Sequence, residues 1–332
     1  MRKIRVAQIG TSKFSHGNSI WRTMVKYPDV FEIVAYAFPE GEREKFPKQT
    51  ACFDGYREMS VEEILADERI EAVIVETEEI HLVKYALMVA RSGKHLHLEK
   101  PGGQSLADFE ELIRTVKKNQ TVFHTGYMYR YNPVLLDVIK RVKSGEIGEI
   151  TSVEAQMNCW HKRECTEWLS TFEGGMMFFL GCHMLDLVMQ LQGEPKKIHT
   201  FHRCSGRFEG VRSLDSAVAI LEYDRGVSII KSSAAEWGGF LRRQLVITGT
   251  RGTIEVNPLE RSSDGKNQYT DYVVCPEDTG WNTPGEHFTS EPYGRYDDMM
   301  LSFAAMVRGE RINPISCDYE LSLYRTLMEC CR

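Results

Sequence analysis

The sequence predicts an α/β protein in which an amino-terminal doubly wound parallel sheet precedes a carboxy-terminal α+β domain with a largely antiparallel open sheet. Two observations support this fold class. Strand and helix patterns alternate over the first part of the chain, which is typical of the crossover units of a parallel sheet. Beyond Pro133 the strands lengthen and hairpin-like turns separate them. We therefore expect two domains, residues 1–124 and 125–332.

Short apolar runs rich in β-branched residues predict the strands of the first domain, at residues 4–9, 31–38, 72–75, 94–98 and 121–124. Ile20 and Met24 keep helical spacing between the first two strands. A further helix is expected over residues 80–91. Ser105, with Asp108 three residues later, resembles the capping box that begins a helix. The order of these elements predicts a parallel sheet with helical crossovers.

The second domain is expected to begin with a helix and to continue with strands at residues 149–158, 197–204, 216–223, 227–234, 244–248 and 253–256. Residues 224–226 and 250–252 each end in glycine and predict hairpin turns. One apolar helix is expected over residues 176–191, and two helices close the chain. Residues 261–292 are polar with little periodicity, so we expect a long surface loop there.

Composition excludes several classes of function. The formal net charge of −6 is mild, whereas a nucleic-acid-binding protein normally carries a basic face. No apolar run approaches the ~20 residues that cross a bilayer, and the chain opens directly on a strand, so we expect neither a membrane segment nor a secretory signal. The nine scattered cysteines indicate reduced thiols in a cytoplasmic protein, and no metal site is expected.

The run Glu99-Lys100-Pro101 follows the predicted strand at residues 94–98. Pro101 ends the strand because it has no N–H to donate and disfavours helix at Lys100. In an open α/β sheet the carboxyl ends of the strands border the ligand crevice. Lys100 is therefore predicted to act on a bound substrate. An exposed ammonium on a surface turn is the alternative.

The turn after the first strand lies where a dinucleotide-binding fingerprint would be, after a strand and before a helix. Gly10 fits the tight turn, whereas Ser12 and Ser15 stand where the usual pattern has its second and third glycines. A serine is small enough to let a diphosphate approach, and its hydroxyl can donate to phosphate. We take Gly10, Thr11, Ser12 and Phe14 as candidate cofactor-binding residues, with a plain strand–helix turn as the alternative.

The end of the second strand leaves the type of dinucleotide open. Phe38 occupies the position of the usual ribose-binding acid, and its ring could instead stack on adenine. Glu40 would favour NAD by accepting from the ribose, whereas Arg43 and Lys45 would favour NADP by holding a 2′-phosphate. A surface turn of mixed charge is equally compatible with these residues.

The residues after the strand at 72–75 border the same crevice. Glu76, Thr77 and His81 are candidates for lining the ribose–nicotinamide region of the cofactor. Glu78 and Glu79 are interpreted instead as acidic residues at a helix start, where the helix dipole favours them.

The Gly-rich stretch at residues 174–186 makes a family resemblance plain. With it, the chain resembles the glucose–fructose oxidoreductase / inositol dehydrogenase / rhizopine-catabolism (Gfo/Idh/MocA) family along essentially its whole length. The other blocks that match are Gly93-Lys94-His95 with Glu99-Lys100-Pro101, residues 126–133, residues 144–150 and residues 249–253.

The resemblance implies a Rossmann domain for NAD or NADP, followed by a domain whose open sheet makes dimer or tetramer contacts. It implies oxidation or reduction of a sugar or polyol carbon, with no nucleic-acid or membrane partner. Lys100 and Glu99 would lie at the nicotinamide, and Lys100 would hydrogen-bond the reacting oxygen. His183 would be general base or proton relay. Asp186 would orient His183 or touch a substrate hydroxyl, with capping or core hydrogen bonding as the alternative.

One residue departs from the family pattern. Many of its dehydrogenases carry an aspartate four residues before the histidine, and this chain has Phe179 there. A benzyl group cannot transfer protons. Three explanations stay open: His183 acts alone as the base, another side chain such as Tyr127, His161 or Asp186 fills in, or the protein binds ligands without turnover.

Aromatic residues before the Gly-rich stretch could hold a sugar face. We take Tyr127, Trp160 and His161 as candidate substrate contacts, and at least one of Trp160 and Trp168 as core. The sequence thus predicts an NAD(P)-dependent oxidoreductase acting on a sugar, inositol or related polyol. A non-catalytic dinucleotide- and sugar-sensing relative and an NAD-dependent glycosidase are the alternatives.

Overall fold

The computed structural model describes residues 2–276, 281–282 and 284–332. These form two compact units: the residues up to Tyr127 with Tyr296–Tyr324, and Met128–Arg295 with Arg325–Arg332. The predicted division between residues 124 and 125 differs from these units mainly because it assigns Tyr296–Tyr324 to the second domain. That segment belongs to the first unit because its aromatic side chains pack there, as Tyr324 does on Phe109 with ring centroids 4.0 Å apart.

The strands are β1 (Ile4–Ile9), β2 (Phe31–Ala37), β3 (Ala72–Val75), β4 (His95–Leu98), β5 (Phe123–Thr125), β6 (Ile150–Asn158), β7 (Lys197–Arg203), β8 (Ser216–Glu222), β9 (Val227–Ser233), β10 (Gln244–Gly249), β11 (Gly252–Val256), β12 (Asp271–Pro276) and β13 (Glu286–Thr289). The helices are α1 (Gly17–Lys26), α2 (Glu42–Lys45), α3 (Pro47–Thr50), α4 (Val61–Ala66), α5 (Leu82–Arg91), α6 (Leu106–Asn119), α7 (Pro133–Lys143), α8 (Arg163–Trp168), α9 (Cys182–Gln192), α10 (Asp297–Val307) and α11 (Cys317–Cys330).

The first unit is built on a parallel sheet with strand order β2-β1-β3-β4-β5. The chain crosses over through α1 in one direction and through α5 and α6 in the other, so the order reverses between β1 and β3. Such a switch point is where open α/β sheets bind ligands. The predicted parallel sheet is confirmed. The Oγ atom of Ser105 caps α6 by accepting from the N–H of Asp108.

The second unit carries a sheet of order β13-β12-β11-β10-β6-β9-β8-β7. Its pairs are antiparallel except β6–β9, so the predicted largely antiparallel sheet is confirmed. The turns at residues 224–226 and 250–252 join β8 to β9 and β10 to β11, as predicted. The predicted apolar helix is two pieces, because a π-helical turn, Met177–Gly181, precedes α9.

The long loop predicted for residues 261–292 is wrong in part. The strands β12 and β13 lie in that segment and extend the sheet beyond β11. Their pattern was missed because they lie at the edge of the sheet and β13 is exposed along its whole length, so neither shows the clean alternation of a half-buried strand. Residues 277–280 and 283 of the predicted loop lie outside the described residues.

The second sheet buries one face more completely than the other. In β8 the side chains of Ala217, Ala219 and Leu221 are fully buried, while the residues between them are half-buried. On the neighbouring strands Phe201 is 52% exposed and Ile229 is 39% exposed. Apolar side chains are thus exposed on this sheet of the isolated chain.

Three further findings concern the described residues. No helix of the described residues combines the length and apolar character that a membrane span requires. No disulfide joins any of the nine cysteines, all of which lie within the described residues. In the same residues, no group of three or more His, Cys, Asp or Glu side chains is arranged to hold a metal ion.

The β8–β9 hairpin provides a test of the second unit. Gly226 has φ +82°, and a Cβ there would lie 1.7 Å from the carbonyl oxygen of Thr151. Gly206 has φ +70°, and a Cβ there would meet no atom within 4 Å. Gly206→Ala should cost only the backbone strain, about 1–2 kcal/mol. Gly226→Ala should cost on the order of 3 kcal/mol or more, because the clash is with backbone. Equal losses in denaturant unfolding would contradict this packing.

Candidate active site

The turn after β1 needs a glycine. Gly10 has φ +84°, and a Cβ there would lie 2.4 Å from Cγ2 and 2.8 Å from Cα of Thr77. The buried Gln8 fixes the turn, because its Nε2 donates to the carbonyl oxygens of Gly10 and Gly17. The turn after β1 therefore lies directly against the segment that follows β3, as the predicted role of Gly10 requires.

The two serines of this turn hold its backbone. The Oγ atom of Ser12 accepts from the N–H groups of Phe14 and Ser15, at 3.3 and 2.9 Å. The Oγ atom of Ser15 accepts from the N–H groups of Ser12 and Gly17 and donates to the carbonyl oxygen of Glu76. The two serine hydroxyls thus accept hydrogen bonds from backbone N–H groups before α1. A phosphate bound at the start of a helix usually accepts from such N–H groups.

Glu42 is a site residue that sequence reasoning missed. Its Oε2 accepts from the N–H of Thr11 at 3.1 Å, and its side chain is fully buried. Among the described residues, Oε1 of Glu42 and Oγ1 of Thr11 have no hydrogen-bond partner. Burial raises the pKa of Glu42 to about 9. No local pattern identifies this residue, because it lies on α2, beyond the end of β2 where a ribose-binding acid is expected.

Glu40, the predicted NAD-favouring residue, is held by its neighbours. Its Oε1 accepts from Nζ of Lys84 at 2.6 Å and from the hydroxyl of Tyr85 at 2.7 Å. These hydrogen bonds lower the pKa of Glu40 to about 2. Nδ1 of His81 lies 3.9 Å from the same oxygen. Glu40 is therefore an ionised, paired carboxylate.

The two basic candidates for a 2′-phosphate are also paired with acids. Nη2 of Arg43 lies 2.6 Å from Oε2 of Glu58, and the guanidinium lies 5.1 Å from the ring centroid of Phe38. Nζ of Lys45 lies 3.7 Å from Oε2 of Glu78. The local charges are nearly balanced, so they select neither dinucleotide by charge alone.

A cavity of about 570 Å³ opens beside the end of β2. Phe38, Lys84 and Tyr85 are among its lining residues. An aromatic ring and a phenol beside a lysine make a surface on which a planar base can stack. The predicted candidate Phe38 therefore has open space next to it.

The ends of β3 and β4 bring a lysine and three carboxyl groups into one buried region. Lys100 is 1% exposed, and its Nζ lies 3.6 Å from Oε1 of Glu99. Burial raises the pKa of Glu76 well above its ordinary value and that of Glu79 to about 8. Burial acts the same way on Glu99, but nearby cations outweigh it and its pKa is lowered. One carboxylate therefore balances one ammonium.

Lys100 is accordingly not the exposed surface ammonium that was its alternative. Glu79, which the sequence indicates as an acidic residue at a helix start, is 1% exposed, and both of its oxygens lack a hydrogen-bond partner within the described residues. Burial depends on tertiary neighbours that a local pattern does not contain. Thr77 and Tyr127 are buried in the same unit.

In the second unit, α9 carries the predicted pair His183 and Asp186. His183 is 1% exposed, and its ring centroid lies 5.5 Å from that of Tyr129. Asp186 accepts from Nε and Nη2 of Arg130 at 3.0 and 2.9 Å and from Nε2 of Gln190 at 2.9 Å. These contacts favour the core hydrogen-bonding alternative for Asp186.

A buried ionic group supports Tyr129 and was not found from the sequence. Glu260 accepts from the hydroxyl of Tyr129 at 2.9 Å, from Arg243 at 2.7 Å and from Arg295 at 2.6 Å. Burial acts to raise the pKa of Glu260, but the two guanidinium groups outweigh it and lower the pKa to about 2. The segments are far apart in the chain, so no spacing rule links them.

Phe179 lies in the π-helical turn among aromatic rings. Its ring centroid is 5.0 Å from that of Trp168 and 6.1 Å from that of His161. Burial, with Arg243 and Arg207 nearby, lowers the pKa of His161 to about 4. His161 is therefore neutral near pH 7.

Trp160 stacks on Trp237 with ring centroids 4.2 Å apart, and Trp237 is 76% exposed. The guanidinium of Arg207 lies 5.8 Å from the ring centroid of Trp160. The two indoles form a partly exposed aromatic surface, of the kind that stacks against sugar rings. Trp168 packs against Phe172 and Phe179 and is half-buried, as Trp160 is.

Family models match both parts of the chain. Residues 4–127 match the oxidoreductase family with an NAD-binding Rossmann fold, and residues 135–255 match the GFO/IDH/MocA C-terminal domain. The chain belongs to the Gfo/Idh/MocA oxidoreductase family. Its first domain is an NAD-binding Rossmann domain, and its cofactor is NAD or NADP.

Curated relatives agree with this assignment at low identity. An uncharacterized oxidoreductase of Rhizobium meliloti is 26% identical over 276 residues, covering 81% of this chain and 79% of the relative. The scyllo-inositol 2-dehydrogenase (NADP+) of Bacillus subtilis is 23% identical over 278 residues, covering 82% and 72%. Among solved structures, levoglucosan dehydrogenase in complex with NADH and levoglucosan has a TM-score of 0.80 at 16% identity, covering 99% of this chain and 96% of that one.

The residues present fit a dinucleotide. The tight turn at Gly10 lets the chain approach a diphosphate, and the partnerless buried atoms Thr11 Oγ1 and Glu42 Oε1 lie at that turn. The cavity beside Phe38 has room for an adenine. Gly10, Thr11 and Ser12 would hold the diphosphate, and Glu42 would meet the adenosine ribose.

The buried carboxyl of Glu42 predicts a pH dependence of stability. Its pKa is about 9 in the folded chain and about 4.5 when unfolded, so folding takes up a proton between these values. Stability should therefore fall as pH rises from 5 to 8, by up to about 1.4 kcal/mol per pH unit. Glu42→Gln should remove the part of this fall that Glu42 contributes, because the amide stays neutral, while the parts from Glu76 and Glu79 remain. The control Glu44→Gln, at an exposed site on the same helix, should follow the wild type in thermal melts. Parallel curves for the wild type and Glu42→Gln would contradict the prediction.

Proposed function

We propose that this chain is an NAD(P)-dependent oxidoreductase that transfers a hydride between the nicotinamide and a carbinol carbon of a sugar, inositol or related polyol. The observation that carries the proposal is Lys100, a lysine 1% exposed at the carboxyl end of β4 beside the switch point of a dinucleotide-binding sheet. The inositol dehydrogenase among the relatives supports the substrate class.

In this proposal Lys100 acts on the reacting oxygen. In the reduction direction its ammonium donates a hydrogen bond to that oxygen and stabilises the negative charge that develops there as hydride adds to the carbonyl carbon. The low exposure of Lys100 strengthens this interaction, because little water screens the charge. The bound nicotinamide supplies the hydride acceptor or donor. Glu99, paired with Lys100, keeps the lysine charge in place.

The second domain supplies the histidine in this proposal. His183 assists, as a proton relay, the transfer of the hydroxyl proton to or from Lys100, and its ring packs against Tyr129, which Glu260 holds. Asp186 is a positioning residue: its hydrogen bonds from Arg130 hold α9 in place. The aromatic surface of Trp160, together with His161 and Tyr127, contacts the substrate.

A second candidate function has specific support. Phe179 stands where an acid–base aspartate is expected, and the hydroxyls of Ser12 and Ser15 already accept from amides of the phosphate turn. Both observations favour a ligand-sensing protein that binds dinucleotide without turnover. The buried Lys100 and His183 favour the enzyme, because a sensor has no need of two buried titratable groups at these positions.

We also propose the setting in which the protein works. The partly exposed apolar side chains of the second sheet, such as Phe201 and Ile229, support a homodimer or homotetramer formed through that sheet. The partner is otherwise a small molecule, and the compartment is the cytoplasm, in which reduced cysteines persist.

The first test is a substrate panel read at the nicotinamide absorbance band. Wild-type protein is mixed with NAD and with NADP against polyols, inositols and sugars. Turnover supports the enzyme, whereas dinucleotide binding without turnover supports the sensor. Aryl-glycoside cleavage with no net change in absorbance would favour a glycosidase and overturn the dehydrogenase proposal.

Lys100→Met should separate chemistry from cofactor binding. The methionine keeps most of the side-chain volume but cannot donate to the reacting oxygen, so kcat should fall by about 10²–10³ or more. The dissociation constant for NADH, read by fluorescence, should change little. Lys117→Met, at an exposed helix position, is the matched control and should keep wild-type kcat. Near-wild-type turnover in Lys100→Met would refute the role assigned to Lys100.

A further inference from the structure

The carboxylate beside Lys100 has a second basic neighbour. Oε1 of Glu99 lies 3.6 Å from Nζ of Lys100 and 3.4 Å from Nδ1 of His16. One oxygen atom is thus shared between the candidate catalytic lysine and an imidazole. His16 immediately precedes α1. Its imidazole ring therefore belongs to the turn after β1, the same turn that approaches the cofactor.

The three groups differ in their access to water. Lys100 and Glu99 are each 1% exposed, whereas the side chain of His16 is 19% exposed. The His16 ring packs beside Tyr296, with centroids 5.3 Å apart. Two ion-pair contacts, of 3.6 and 3.4 Å, thus separate the buried lysine from a side chain that reaches the surface of the first unit. Both contacts have to shorten for a proton to pass, because Oε1 of Glu99 has no hydrogen-bond partner among the described residues.

A second line of groups near Glu99 consists of buried side chains. Oε1 of Glu76 lies 3.6 Å from Nε2 of His97, and Nδ1 of His97 lies 2.6 Å from Nδ1 of His124. All three side chains are at most 2% exposed, and Phe303 packs against both imidazoles. The three side chains of this branch are therefore buried, unlike that of His16.

The ionisation of the surrounding groups suits a route through Glu99. Burial raises the pKa of Glu76 well above its ordinary value and that of Glu79 to about 8, so it favours the neutral form of both carboxyl groups. Burial also lowers the pKa of His97 to about 4, so that ring is neutral. Of the groups facing Glu99, the remaining charged or chargeable ones are Lys100 and His16. Glu99 is itself ionised and can accept a proton.

We propose that Glu99 and His16 form the proton route between Lys100 and solvent, and so supply a path that Phe179 cannot. The inference rests on the proposed oxidoreductase function. In the oxidation direction the Lys100 ammonium passes one proton to Oε1 of Glu99, which passes it to Nδ1 of His16. His16 then loses its Nε2 proton to water.

The resulting Lys100 amine accepts the hydroxyl proton of the substrate as the hydride leaves for the nicotinamide. Each oxidation thus releases one proton to water for each carbonyl formed and each NAD(P)H produced. The reduction direction runs the same steps in reverse. Glu99 and His16 are positioning and relay residues here, because neither is assigned a contact with substrate.

The first test needs no substrate. The His16 ring is titrated by NMR, with its resonance assigned by its loss in His16→Asn. Lys100→Met removes the ammonium that shares Glu99 Oε1, so the unshared carboxylate should raise the pKa of His16 by at least about half a unit. Lys117→Met, remote and exposed, is the control and should leave that titration unchanged. An unmoved His16 titration in folded Lys100→Met overturns the coupling.

The second test uses whichever substrate the panel identifies. His16→Asn should lower kcat by about 10-fold or more while the dissociation constant for NADH stays near wild type. Added imidazole should restore part of kcat in this variant. His199→Asn is the matched control, because His199 also pairs with a glutamate, Glu222, on the surface of the other unit.

The two tests separate the possible failures. If no substrate is turned over by the wild type, the proposed function fails, and the NMR titration still decides whether His16 and Lys100 are coupled. If His16→Asn weakens NADH binding but keeps kcat, or if imidazole gives no rescue, His16 serves cofactor binding or packing and the relay is overturned.

Discussion

The structure of the first unit depends on one constraint, the burial of the Lys100 ammonium at the end of β4. A buried charge is tolerated only when it is paired, and Glu99 is adjacent in the chain to provide the pair. Two more carboxyl groups, on Glu76 and Glu79, lie in the same region, and burial keeps them neutral. The region thus holds several exchangeable protons and carries little net charge. A buried lysine in such a region is stable and can still exchange its proton.

The same constraint shapes the turn after β1. Gly10 has to lie directly against Thr77 for the ends of β1 and β3 to converge, and Ser15 ties the turn to the carbonyl oxygen of Glu76. The turn therefore shares its support with the buried carboxyl region. A dinucleotide that bound at this turn would have to replace hydroxyl–amide hydrogen bonds by phosphate–amide hydrogen bonds. The two serines would therefore lower the affinity for the cofactor, although they keep the turn in shape.

The sequence predicts most of the fold because its information is local there. Buried strands such as β3 are continuous apolar runs, and Pro101 marks the end of the segment that delivers Lys100. The site is predicted less completely because burial is not local. Glu79 looks like an ordinary helix-start acid until tertiary neighbours remove its water, and Glu42 is recognised only through its contact with Thr11. The role of Glu260 likewise depends on arginines that the chain brings to it from other segments.

The surroundings of Phe179 and Glu99 differ in how they would treat a carboxylate. The Phe179 ring lies among Trp168 and His161, and a carboxylate in that aromatic setting would lose hydration. The first unit offers the opposite environment, because Glu99 has Lys100 and His16 on the same oxygen. An acid–base group works where its charged form is stabilised at the moment it forms. By that criterion we propose Glu99, which has Lys100 and His16 on one oxygen, as the proton acceptor that the benzyl group of Phe179 cannot be.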